Sequence, residues 1–297
     1  MGCTLVRQES PPPAEELQAY YGGDYLPHRQ PEDWGRWGPL VRLSERARDR
    51  SRVRLARAEL RRAPPSGSKA PRVLDLGCGR PSFLRALRRR TGCHATGLDT
   101  SDQGWASDPP DTWSGLDLMV GTVGDGSLKP GSFHLITLWH VLEHLREPME
   151  ALRRLRRLTH IGGTLIVEVP DYSSWPRRIQ GSSWIGFDAP RHMVALDPLT
   201  LRRALGDAGW NVSKVRRGGT LDPWTLWWLG RQVARNRSLT ENLEPLVPPF
   251  IVGKILTFPL ILLQRWLPLG TITAFARRPC YPFLFHDPSG LPMPPVV

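Results

Sequence analysis

The chain has 297 residues, enough for one full α/β domain with additions or for two small domains. It is 40% hydrophobic, which permits a substantial core, and carries a formal net charge of +12, mostly through Arg. That excess excludes an acidic, self-repelling chain and favours polyanions or acidic membranes, while the Arg runs at 46–62, 85–90 and 153–157 read equally well as solvated helix faces. Cys3, Cys78, Cys93 and Cys280 are scattered, so a disulfide framework and a cysteine metal site are both excluded and a reducing, cytoplasmic compartment is expected. Arg7, Glu9 and three prolines occupy the place of a signal-peptide core. Met1-Gly2-Cys3 fails as a myristoylation signal because Val6 stands where Ser or Thr is needed.

In chain order, residues 1–13 read as disordered and Tyr20 to His28 as an aromatic turn. A long Arg-rich helix is predicted from Pro39 to Ala63, with Leu40, Leu43, Ala47, Val53, Leu55 and Leu60 as its apolar positions. Pro64 to Ser68 is a linker. Val73-Leu74-Asp75-Leu76 is a buried strand, Gly77-Cys78-Gly79 a tight turn, and Phe83 to Leu87 a helix. Further strands are predicted at 95–99, 116–120, 133–139, 164–169, 210–215 and 271–275. Helices fall at 148–159 and 198–208, and Gly162-Gly163 reads as a turn before the strand at 164. This alternation predicts a doubly wound parallel sheet.

The strand, glycine turn and helix at 73–84 form the phosphate- and nucleotide-binding corner of such a sheet. Asp99 ends the next strand, about 20 residues beyond the glycines, where an acid can hydrogen-bond ribose hydroxyls. A dinucleotide fingerprint would need a third glycine at Ser82, and no G-x-x-x-x-G-K-[ST] occurs, so P-loop chemistry is excluded.

Leu74-Asp-Leu-Gly-Cys-Gly79 followed by Gly97-Leu-Asp99 resembles the first two motifs of the class I S-adenosylmethionine-dependent methyltransferases. The likeness continues through Gly131-Ser-Phe-His-Leu-Ile136, His140-Val-Leu-Glu-His-Leu145, Ile161-Gly-Gly-Thr-Leu165 and Glu168-Val-Pro-Asp171. Trp184, Asp188 and Pro190-Arg191-His192 resemble a bacterial small-molecule subgroup with a Pro-Arg-His element. The resemblance covers about residues 70–217 and a last strand at 271–277. Its departures are His134 where Asp is usual, His160-Ile161 for Lys-Pro, and Pro81 in place of a third glycine. Proline is tolerated at the first turn of a helix but removes one backbone donor near the cofactor.

The resemblance implies a Rossmann-like seven-stranded sheet with an antiparallel last strand, and S-adenosyl-L-methionine as cofactor. It implies cofactor contacts from Asp75, Gly77, Cys78, Gly79, Asp99, Thr100, Asp125 and Trp139. His144, Glu143 and His192 are the candidate catalytic residues, a histidine being the side chain best tuned as a base near neutral pH. His140, Glu143 and His144 also spell H-x-x-E-H, an inverted zincin signature, but outside the fold that motif requires; no metal is expected.

Residues 246–269 are strongly apolar, with Lys254 and Gln264-Arg265 as the strongly polar exceptions. Four prolines argue against a membrane crossing; a cap over the site, a membrane-interface segment or a partner surface remain. The expected organisation is an N-terminal disordered tail and helical cap at 1–68 and a methyltransferase core at 69–218. A Trp-rich apolar insertion at 219–269, the last core strand at 270–279 and a Pro-rich tail at 280–297 complete it. The expected reaction is direct methyl transfer to a small-molecule or lipid-linked acceptor, at oxygen, with peripheral membrane contact through 246–269. Nucleic acid is a weaker alternative, because Trp139-His140 replaces the Asn/Asp-Pro-Pro-Tyr/Phe motif of base-modifying enzymes. A non-catalytic scaffold or membrane-binding protein of the same fold is the other.

Overall fold

A computed structural model describes residues 6–20, 31–62, 70–235 and 244–280. The aromatic turn after Tyr20, the linker at 64–68, the first five residues and most of the Pro-rich tail lie outside the described residues.

Val73, Leu74, Leu135, Ile136, Leu165, Ile166 and Val167 are wholly buried, which marks strands covered on both faces. They belong to β2 (Arg72–Leu76), β5 (Phe133–Trp139) and β6 (Thr159–Pro170). With β3 (His94–Asp99), β4 (Leu116–Val120), β8 (Asn211–Arg217) and β9 (Thr271–Arg277) they form a seven-stranded sheet in the order β4-β3-β2-β5-β6-β9-β8. The pairs from β4 to β6 are parallel; β9 runs antiparallel to β6 and β8. The expected doubly wound seven-stranded architecture is what forms.

Helices cover both faces. α2 (Gly38–Arg62) and α3 (Ser82–Thr91) bury Val53, Ala56, Leu60, Phe83, Leu84 and Leu87 against one face. α4 (Pro148–Leu158) and α6 (Pro198–Asp207) bury Leu152, Leu155, Leu201 and Leu205 on the other. Each such side chain contributes about 1.5–3 kcal/mol on leaving water. Asp197 caps α6 in a reciprocal box with Thr200.

Two local expectations change. Within the tail expected to be disordered to residue 13, Val6–Arg7 forms β1, antiparallel to β7 (Val194–Ala195). Leu17 of α1 (Ala14–Ala19) is buried in the core. The partner of β1 lies far along the chain, so no local pattern announces it. The Gly162-Gly163 turn is an irregularity inside β6: Gly162 adopts φ +78° and the pairing with β5 slips between Phe133 and Leu135. Glycine alone takes that backbone conformation without strain.

After α5 (Trp175–Gln180) and β8 comes α7 (Pro223–Ala234). The apolar stretch then folds as two short helices, α8 (Val247–Leu256) and α9 (Phe258–Leu263). Gly253 lets α8 rest on α7, since a Cβ there would fall 2.0 Å from the Trp224 ring. The Trp224 indole donates to the Phe250 carbonyl at 2.8 Å.

Candidate active site

The strand order reverses between β2 and β5, and open α/β sheets bind ligands beyond the carboxyl ends of their strands at such a point. Leu76, Asp99, Trp139 and Pro170 end four of these strands, and all four line one cavity of about 1500 Å³. That exceeds the roughly 300–1,000 Å³ of an ordinary small-molecule pocket, so it has room for a cofactor and an acceptor together.

The glycine turn is built against β3. The Gly77 and Cys78 amides donate to the Leu98 carbonyl at 2.7 and 3.3 Å. Gly77 has φ +66°, and a Cβ there would sit 2.4 Å from Val141. Asp99 accepts from the Gly79 amide at 2.8 Å and from the Ser101 amide at 3.3 Å, tying two loops into one cradle. Gly77, Cys78, Gly79, Asp99, Thr100 and Trp139 all face the cavity. The Trp139 indole N–H is buried without a partner among the described residues, a donor that a bound molecule can use. A bare glycine turn, an acid tied to that turn and this donor fit an adenosyl cofactor. Pro81 is the N-cap of α3 and does not line the cavity, so its bulk does not face the site.

Asp75 and Asp125 sit apart from the lining. Asp75 is buried and accepts from the Thr137 hydroxyl at 2.5 Å; burial pushes its carboxyl up to about 7. Asp125 is exposed and accepts from the Thr122 amide and hydroxyl at 2.6 and 2.5 Å, which hold its carboxyl below the usual range. Thr122 itself reaches the cavity.

The three candidate catalytic residues come together. The rings of His144 and His192 meet edge to face with centroids 4.4 Å apart. His144 Nδ1 contacts the Arg191 carbonyl at 3.2 Å and His192 Nδ1 the Gly186 carbonyl at 2.8 Å. The Asp188 carboxylate takes a two-pronged grip on Arg191, at 2.9 and 2.6 Å, so the Pro-Arg-His element is anchored from within. Burial, then the neighbouring His192, lowers the His144 pKa to about 4. Glu143 is 2% exposed, and neither carboxylate oxygen makes a hydrogen bond among the described residues. Glu143, His144 and His192 each present a ligand atom, all within 4.8 Å of one another, so the cluster is also spaced to accept a metal ion.

Sequence reasoning missed the wall beside this cluster. His140, at φ +59°, lies between two buried carboxylates, with Glu168 at 3.1 Å and Glu143 at 3.4 Å. Burial alone would lower its pKa, but the two carboxylates outweigh that and raise it to about 9. Glu168 also accepts from the Thr220 amide at 2.8 Å and hydroxyl at 2.9 Å. Arg52 of α2 stacks over Trp139 at 5.1 Å; burial, then Arg48, lowers its pKa to about 10. A charged residue in the apolar run at 164–169 was the available signal for Glu168, because such residues are almost never fully buried unless paired.

Beyond these groups the cavity has a largely apolar arm, with Ser44 and the Lys254–Asp222 pair also on its wall. Leu40 and Leu43 of α2, Leu226 and Trp228 of α7, and Val247 and Phe250 of α8 line that arm.

A family model described as a methyltransferase domain matches residues 46–215, more than half of the chain. A ubiquinone biosynthesis O-methyltransferase of Xanthomonas euvesicatoria pv. vesicatoria is 28% identical over 180 residues, 57% of this chain and 72% of that protein. A 37.1 kDa protein of transposon TN4556 from Streptomyces fradiae is 29% identical over 106 residues, 34% of this chain; the match spans only 31% of that relative. Among solved structures, the [4+2]-cyclase SpnF aligns with TM-score 0.52 at 17% identity, covering 77% of this chain and 82% of that one. The Haemonchus contortus phosphoethanolamine N-methyltransferase 2 complex with S-adenosyl-L-methionine aligns with TM-score 0.50 at 15% identity, covering 75% and 51%. At such identities these structures bear on the fold alone. The glycine cradle at a sheet switch point and a domain match over more than half the chain converge: the chain belongs to the methyltransferase domain family, as a class I S-adenosylmethionine-dependent methyltransferase.

Proposed function

We propose that the protein transfers a methyl group from S-adenosylmethionine to an oxygen of a small-molecule or lipid-linked acceptor by direct displacement. The observation that carries this reading is the single cavity joining the Gly77–Gly79 and Asp99 cradle to His144 and His192. Oxygen is further supported by the name of the Xanthomonas relative, an O-methyltransferase. The adjoining apolar arm suits an acceptor with hydrocarbon bulk.

When bound, the cofactor supplies an activated methyl group on a sulfonium. The Gly77–Gly79 turn and Asp99 would hold its adenosyl portion. His144 is uncharged at neutral pH; with Glu143 and Asp188 offsetting part of the basicity that burial removes, it accepts the proton of the acceptor hydroxyl as the new O–CH₃ bond forms and the S–CH₃ bond breaks. Glu143 steadies the imidazolium so formed, and His192 fixes the ring by its edge contact. Most of the acceleration comes from alignment, since well-oriented intramolecular reactions reach effective molarities of about 10⁵–10⁸ M.

Calorimetry with S-adenosylmethionine on wild type and Asp99→Ala, followed by transfer of labelled methyl to a panel of hydroxylated aromatic and lipid acceptors, tests the proposal. Cofactor binding that is lost in Asp99→Ala, with label on oxygen lost in His144→Ala, is expected. No binding at millimolar cofactor refutes the enzyme reading, and label entering RNA or DNA refutes the acceptor class. Transfer abolished by a chelator, with cofactor binding intact, would reassign the work of His144 to a metal ion.

A further inference from the structure

α8 is an apolar helix with two different exposures. Val247, Phe250 and Ile251 line the cavity, so α8 forms part of its roof. On its other side, along α9 and just after it stand Val252, Ile255, Leu256, Phe258, Leu262 and Trp266, each 57–75% exposed. Ile255 also touches the cavity, so the outer surface and the interior meet at this helix.

The charges are arranged to leave the outer surface bare. Residues 247–270 contain no acidic side chain. Lys254, the one charge on α8, is turned into the protein, pairing with Asp222 at 3.1 Å and contacting the Ser44 hydroxyl at 3.3 Å. Arg265 is exposed beside Trp266. The Trp175 amide at the start of α5 donates to the Pro268 carbonyl at 2.9 Å, and Trp175 is itself half-exposed. Contiguous exposed apolar surface marks an interaction site. Exposed apolar side chains with a tryptophan beside an exposed arginine are features of a segment that lies in a membrane interface. No helix among the described residues is long and apolar enough to cross a membrane.

We infer that the outer surface of α8 and α9 docks on an anionic lipid bilayer, and that the acceptor passes from the lipid directly under α8 into the apolar arm. This rests on the methyl-transfer reading and sharpens its acceptor class to a molecule held in the membrane by a hydrocarbon tail. Net charge +12 draws the protein to the negative leaflet, and the apolar helices hold it there. A bilayer is favoured over a second copy of this chain because the inner side of the same helix gives Val247, Phe250 and Ile251 to the cavity wall, an entry that a protein partner would seal.

The test is flotation of the full chain with vesicles of phosphatidylglycerol and phosphatidylcholine at low salt. Wild type should float with phosphatidylglycerol-rich vesicles, and the fraction bound should fall at least tenfold in Leu256→Glu/Leu262→Glu. Both positions are exposed, so cofactor binding measured by calorimetry should stay within twofold and report an intact fold. A variant carrying the neutral swap Leu256→Met/Leu262→Met should float like wild type. Wild type remaining in the aqueous fraction at every lipid composition, or the Glu variant floating normally, overturns the inference. So does a lipid-free dimer that the Glu variant dissociates, because a second copy would then own the surface. Loss of cofactor binding in wild type would instead strike the methyl-transfer reading.

Discussion

Glu168 offers the sharpest test of the site's construction. It is wholly buried, and its carboxylate answers His140 at 3.1 Å, the Thr220 amide at 2.8 Å and the Thr220 hydroxyl at 2.9 Å. Glu168→Leu removes the anion and strands both donors of Thr220 while His140 keeps only Glu143. Breaking a buried pair from one side costs about 3–5 kcal/mol, because the remaining charge has lost its compensation. Glu168→Gln keeps the shape and one acceptor oxygen, so its cost is closer to the roughly 1.5–3 kcal/mol of a charged hydrogen bond. Urea unfolding measures both. Adding His140→Leu closes a double-mutant cycle, and the coupling should fall in the upper part of the roughly 0.5–3 kcal/mol range for contacting residues. A Glu168→Leu variant less than about 1 kcal/mol below wild type, or a coupling near zero, would refute a charged His140 held between two carboxylates.

Asp75 titrates at about 7 in the folded chain, against an ordinary 3.8. The folded state therefore binds more protons across that window, and stability of the cofactor-free protein should fall as pH rises from about 4 to about 7, by a few kcal/mol in order of magnitude. Asp75→Asn should flatten the slope in urea unfolding at pH 5 and pH 8; an unchanged slope would contradict it. Gly77→Ala places a Cβ 2.4 Å from Val141 at φ +66°. The backbone costs roughly 1–2 kcal/mol and the clash roughly 1–3 kcal/mol, so calorimetry should show cofactor affinity down at least tenfold. Gly253→Ala drives a methyl into the Trp224 ring at 2.0 Å, so hydrogen exchange should rise across 247–263 while β2 and α3 keep their protection. Equal protection in both segments would show that α8 does not depend on that contact.

Much of the fold was legible because its signals are local. The strands at 73–76, 95–99 and 133–139 are apolar runs of strand length, and α4 and α6 repeat Leu at helical spacing. Gly77, Gly79 and Asp99 were legible as a cradle because a turn needs glycine and the acid must follow one strand later. β1 was not legible, since its partner β7 is nearly two hundred residues away and two residues carry no period. Asp75 and Asp125 matched a motif, but their carboxylates are spent on Thr137 and Thr122 rather than turned to the cavity.

By itself, then, the sequence determined the sheet, its winding and the glycine corner at its switch point, because strand period, glycine placement and one following acid are properties of neighbouring residues. Only the tertiary structure decided what surrounds that corner. It brought Glu168 to His140 across 28 positions, His144 to His192 across 48, and turned Lys254 inward so that α8 shows bare hydrocarbon outside. Those outcomes depend on which chain segments meet in space. Burial and pairing set the charge of His140 and the apolar surface of α8, and neither can be read from a residue and its neighbours alone.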